Sequence, residues 1–198
     1  MVAVPFPEPG FYSYFDEKSF FEWLGRIPVV SSIGANPSLI IDLKTEQIDD
    51  QSAQEFVALA ARYDFPVKLP AAMRKDKVVS LEEKVDPAAV IVTERPSNGF
   101  SLFLKPVFIS PLDGRGFDDW LKESYPQYAG LDKSKTAILE LGSEEVTVMN
   151  VRDLIALFNR YRLQHSKLRR LCEIADHDYF YDKEAHWYEE IYGTSSSS

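Results

Sequence analysis

Phe20, Phe21, Trp23 and Leu24 fall on one face at helical spacing, the pattern of a short amphipathic helix. Asp16 is a suitable cap ahead of it, and Gly25 and Pro28 suit its end. Leu39-Ile40-Ile41-Asp42-Leu43 then reads as a strand, and Asp49 or Asp50 begins a second helix. Phe56, Leu59, Ala60 and Tyr63 recur on that helix until Pro66 stops it. Prolines at positions 5, 7 and 9 predict an extended arm before the first helix.

The same order returns later in the chain. Phe117-Asp118-Asp119-Trp120-Leu121 echoes Phe20 to Leu24, Ala137 to Leu141 echoes Leu39 to Leu43, and Leu154 to Tyr161 echoes Phe56 to Tyr63. The separation between matching elements stays nearly constant, the mark of an internal repeat. Between the copies, Ala88 to Thr93 and Phe100 to Leu104 flank Arg95-Pro96-Ser97-Asn98-Gly99, which predicts a hairpin. The Lys-, Glu- and Asp-rich stretch from Arg74 to Pro87 predicts a linker. In the second copy a helix begins near Asp113, and Asn150 with Asp153 is expected to cap the helix through Leu154 and Tyr161. A further helix is expected from Ser166 to Ile174, and a terminal one from Asp182 to Tyr192, stopped at Gly193.

The expected fold is α+β or α/β, with two related helix-strand-helix units, a connecting hairpin and sheet covered by helices. The expected parts are 1–75 with its arm, 76–112 as linker and hairpin, 113–193 as the second unit, and 194–198 as a disordered tail. Strand order does not follow from the pattern.

Charge narrows the partners. Against 31 acidic residues stand 22 basic ones, a net −9, which repels phosphate backbones and anionic lipid. Nucleic acid and membrane are therefore not expected partners. No apolar run is long enough to cross a bilayer, and the first residues lack the basic start and apolar core of a signal peptide. One cysteine excludes an internal disulfide, and a reducing cytoplasm suits it.

Candidate chemistry is sparse. His177, Asp178, Asp182 and His186 cluster near the end of the chain, and such groups can bind a metal or act as acid and base. Their spacing matches no motif with a mechanical reason, so a surface or structural role outweighs catalysis. Cys172 shares a face with Leu168 and Leu171 and reads as buried filler. Nucleophile elbows, phosphate-binding glycine loops and zinc spacings are missing from the sequence. No catalytic residue, metal or cofactor is assigned, and the chain reads as a non-enzyme. Trp23 and Trp120 hold matching places in the two copies, as core anchors or as interface residues.

The segment from Glu173 to Tyr192 is more suggestive, because acids are interleaved there with aromatic rings and only one lysine. Asp178, Tyr179, Tyr181, Asp182, Glu184, Trp187, Tyr188, Glu189 and Glu190 form the candidate partner-binding face. Acids on such a face steer a basic partner, and rings supply contact area. The competing reading is a solvated acidic helix face with its rings turned inward.

Both ends of the chain resemble a family of small bacterial immunity proteins of polymorphic toxin systems. The resemblance rests on Tyr12 to Asp16, Phe20 to Leu24 and Ile27-Pro28 at the start. At the end it rests on Leu154 to Tyr161, Leu168 to Leu171, Tyr179 to Asp182, Trp187-Tyr188 and Ile191 to Gly193. A second helical copy and a hairpin between the ends depart from that pattern. The resemblance implies neutralisation of a cognate protein toxin by binding it, and the negative charge of the chain makes a basic toxin, occluded at its active cleft, the leading expectation. The alternatives are an interaction or scaffold module in a bacterial assembly, and an enzyme using His177, Asp178 and His186.

Overall fold

Helix α1, Tyr14–Arg26, starts at Ser13, whose hydroxyl accepts the Asp16 N–H at 3.3 Å. Asp16 therefore lies in the first turn rather than at the cap, and its carboxylate reaches back to accept the Tyr12 N–H at 2.9 Å. This corrects the expected cap: the hydroxyl fills the role, and the acid serves the donor one residue further out. Phe20, Trp23 and Leu24 are buried along α1, each worth about 1.5–3 kcal/mol in removed apolar surface.

The computed structural model describes residues 2–6, 8–35, 38–45, 48–65, 89–95 and 99–183. They form five helices and two three-stranded sheets in which every pairing is antiparallel, an α+β fold. The chain divides into two compact units, Met1–Lys84 with Phe108–Phe117, and Val85–Val107 with Asp118–Ser198. The hairpin, set apart from both copies in the sequence reading, contributes its strands to the second unit.

In the first unit, β1 (Val2–Pro5) and β2 (Val30–Ala35) flank β3 (Leu39–Leu43). Two of these strands depart from expectation. The proline-rich start is a strand paired with β3 rather than a free arm, which an edge strand closing on a proline permits. β2 was hidden by Ser31, Ser32 and Gly34, poor strand formers that break the apolar alternation; its register on β3 also shifts between Val30 and Ser32. Helix α2, Asp50–Tyr63, is capped by Asp49, which accepts the Ser52 N–H at 2.7 Å. It ends at Asp64, in the left-handed region at φ 53°, before Pro66 is reached. Leu39, Ile41 and Leu43 on β3 pack in one core with Phe20, Phe56 and Leu59. Phe20 and Tyr63 meet edge to face, with ring centroids 4.9 Å apart.

In the second unit, β5 (Gly99–Lys105) lies between β4 (Ala89–Arg95) and β6 (Ala137–Leu141). Gly99 is required where it stands, because a Cβ there would lie 2.7 Å from the Leu141 carbonyl oxygen. Helix α3, Pro111–Ser124, places Trp120 and Leu121 in the interior, and its division between the units falls after Phe117. Helix α4, Val148–Arg160, is capped by Thr147 rather than Asn150; the Thr147 hydroxyl accepts the Asn150 N–H at 3.3 Å. A 3-10 turn at His165–Leu168 leads into α5, Arg169–Lys183.

The duplication is deeper than the sequence pattern suggested. β3 and β6 share the same alternation of buried and outward positions. Val4 of β1 pairs with Ile41 of β3, and Leu102 of β5 pairs with Leu139 of β6; each residue of the second pair follows its counterpart by ninety-eight positions. The hairpin strand β5 is thus the repeat equivalent of β1, and each repeat begins with a strand. The third strand differs. β2 lies beside β3 in the first sheet, whereas β4 lies beside β5 in the second. Where β2 would lie in the second unit, Gln127 Nε2 donates to the Glu140 carbonyl at 3.1 Å and to Glu145 Oε1 at 2.5 Å, closing part of a strand edge that is otherwise open to pairing.

Candidate functional site

The acidic and aromatic end of the chain enters the described structure on α5. The helix is interrupted at Asp176, whose backbone is extended at φ 178° and ψ 97°. The Asp176 carboxylate accepts the Tyr179 N–H at 3.0 Å, the bond of an N-cap to the third residue of a new helix. A second helical segment thus restarts at Asp176, and Asp182 lies inside it rather than capping a separate terminal helix. Phe180 is buried, and Tyr179 meets it edge to face at 5.4 Å while remaining half-buried itself. Of the nine candidate partner-binding residues, Tyr179 is the one whose side chain is described. Asp178, Tyr181 and Asp182 belong to the helix, but their side chains lie outside the described residues, as do Glu184, Trp187, Tyr188, Glu189 and Glu190 entirely. His186 and the side chain of His177 fall outside them as well, and with them the metal or acid-base grouping expected at this end.

Upstream, the first turn of α5 is tied by charge. Arg170 Nε donates to Glu94 of β4 at 3.0 Å, and Arg169 Nε donates to Glu173 at 3.0 Å. Glu173 is held below its usual value chiefly by the hydrogen bond that Arg169 donates, and Arg170 is raised chiefly by the one it donates to Glu94. Arg169, Arg170 and Glu94 are largely solvated and Glu173 is partly so, so these pairs orient the helix more than they stabilise it. On the opposite side Cys172 is buried, and burial pushes its thiol up to about 12. A thiol so raised is not a nucleophile near neutral pH, which agrees with the reading of Cys172 as core filler.

The densest polar constellation of the first unit went unrecognised in the sequence. Glu55, on α2, is buried and accepts from Trp23 Nε1 at 3.0 Å, from Ser110 Oγ at 2.5 Å and from the Leu112 N–H at 3.4 Å. About two turns along the same helix, Arg62 makes a bidentate pair with Asp113 at 2.9 and 2.5 Å. Asp113 is fully buried and also accepts the Ile109 N–H at 2.8 Å. Every oxygen of the two carboxylates is engaged by a donor, so the arrangement fixes the Phe108–Phe117 segment onto α2 instead of presenting a base. Trp23 is thereby a core anchor with a hydrogen-bonded indole.

A repeat comparison would have exposed this constellation. Ser13 and Asp16 stand ninety-seven residues before Ser110 and Asp113, and the cap bonds match, with the Asp113 N–H donating to Ser110 Oγ at 3.1 Å. Glu55 and Arg62 likewise precede Asp153 and Arg160 by ninety-eight, and Arg160 is also buried. The copies diverge at the tryptophan. Trp120 Nε1 is buried and meets no acceptor among the described residues, and the residue equivalent to Glu55 is the shorter Asp153.

Among the described residues, no three His, Cys, Asp or Glu side chains are grouped to hold a metal ion, and no helix is long and apolar enough to cross a membrane. Comparison of the chain with protein-family models, with curated proteins and with solved structures found no match.

Proposed function

We propose that this chain is a non-catalytic binding protein whose partner is a basic protein toxin, neutralised by occlusion of its active cleft. The observation that carries the reading is the acidic and aromatic segment of a chain with net charge −9, which restarts as its own helical segment at Asp176. Half-buried Tyr179 belongs to that segment, braced by buried Phe180. A negative field speeds capture of a positive partner, and desolvated rings slow its release. The saturated carboxylates of the first unit and the inert Cys172 offer no competing chemistry in their own surroundings.

Association kinetics test the face. Once a toxic partner is in hand, reversing Glu189 and Glu190 to Lys is expected to slow association by about tenfold at low salt and far less at high salt. An association rate unchanged by the reversal removes this segment from the binding face.

A further inference from the structure

We propose that the outward face of the second sheet is a self-association surface, on which a second copy of this chain packs face to face about a two-fold axis. The register of β4, β5 and β6 sets Ile91 beside Phe103 and Phe103 beside Ile138. This apolar row crosses all three strands, and it points away from the core: Ile91 is 59% exposed and Ile138 is 43% exposed. Large apolar side chains aligned in one row are a different matter from scattered surface apolar residues, and polar groups rim them as at an interface.

Charge selects the occupant. On one flank of the row stands exposed Lys105, two residues beyond Phe103. On the other stand Thr93 and Glu140, with Glu140 paired to Arg95 at 2.6 Å and accepting from buried Ser101. The face thus carries Arg95 and Lys105 against Glu140, with Asp132 in electrostatic reach of Lys105, so the acidic excess of the chain is not here, and a basic partner finds no strongly complementary field. A second copy does. A two-fold axis lying along the row stacks Ile91, Phe103 and Ile138 on their own counterparts and brings Lys105 of each copy over the Glu140 flank of the other. The alternative axis, parallel to the strands, would set Lys105 against Lys105. Aligned packing of two such sheets leaves about 10 Å between them, within the combined reach of lysine and glutamate. Three short strands present less than the roughly 800 Å² per partner of a standard interface, so the association belongs to the weak class. It does not depend on the toxin-binding reading, whose face lies on a different element.

Sedimentation velocity of the whole chain from about 10 to about 500 μM spans the range expected of a small interface. A sedimentation coefficient that rises with concentration toward a dimer is expected, with the rise abolished in Ile138→Asp and in Ile91→Asp. Both positions are exposed, so the variants are expected to fold, as circular dichroism will show. Lys105→Glu is expected to weaken association at least fivefold, while Lys18→Glu on α1, the same charge change elsewhere, leaves it unaltered. A chain that stays monomeric throughout overturns the proposal, as does self-association that survives both aspartate substitutions.

Discussion

Replacing Arg62 with Met tests whether the buried constellation of the first unit holds its fold together. The guanidinium is 5% exposed and Asp113 is 0% exposed, so the pair is desolvated and neither charge has water in reserve. Methionine retains much of the packing volume but leaves Asp113 as a buried carboxylate without the guanidinium that faces it. Breaking a buried pair from one side costs about 3–5 kcal/mol. With an m-value of about 2 kcal/mol/M in urea, the unfolding midpoint of the first unit falls by about 2 M. The double variant Arg62→Met with Asp113→Asn removes both charges and is expected to recover at least about 1.5 kcal/mol relative to the sum of the singles. Urea titration followed by circular dichroism and tryptophan emission measures all four proteins. A loss below about 1 kcal/mol in Arg62→Met, or additivity in the double variant, would refute the claim that a desolvated charge pair fixes the segment on α2.

Three other outcomes follow from the same geometry. Trp23→Phe is expected to cost about 1–2 kcal/mol more than Trp120→Phe, because the first strips a donor from buried Glu55 and the second removes an indole N–H that meets no described acceptor; equal losses in thermal or urea unfolding would contradict this. Asp49→Ala is expected to lower stability by about 1 kcal/mol through loss of the α2 cap. The Ser52 N–H lowers the Asp49 carboxyl from 3.8, so this contribution is full above the unfolded value and fades as pH falls through the folded one; a wild-type-minus-variant stability difference that does not shrink on acidification contradicts the assignment. Cys172, buried and raised to about 12, is expected to resist a thiol reagent at neutral pH in the native protein and to react fully in denaturant; fast native labelling would show that it is accessible.

Where apolar periodicity was strong the sequence read well. The helices through Trp23, Phe56, Trp120 and Leu154, the strands Leu39–Leu43 and Ala137–Leu141, and the hairpin are all present. What escaped the sequence was set by pairing and capping, which depend on distant or non-periodic residues. β1 and β2 are strands because β3 offers them its two edges, although prolines and serines in them argue locally for loops. The caps fell to Ser13 and Thr147 instead of the neighbouring Asp16 and Asn150, since several short polar residues compete for the same N–H. Glu55, Arg62 and Asp113 belong to no motif in the sequence, and their burial follows from contacts more than fifty residues apart. Of the candidate partner-binding face, the break at Asp176 and the seating of Tyr179 on Phe180 are what the structure adds; neither has a signal in residue spacing, because an extended φ at an aspartate is open to any sequence.

The account stands or falls on the nature of the partner. Tagged protein is to be used to retain partners from lysate of its native cell, and each retained chain is then expressed alone and together with this one. The account predicts one basic chain, bound in fixed stoichiometry, that stops growth when expressed alone and is harmless when this protein is co-expressed. Retained chains that are all non-toxic, or a toxic chain that this protein does not neutralise, would contradict it.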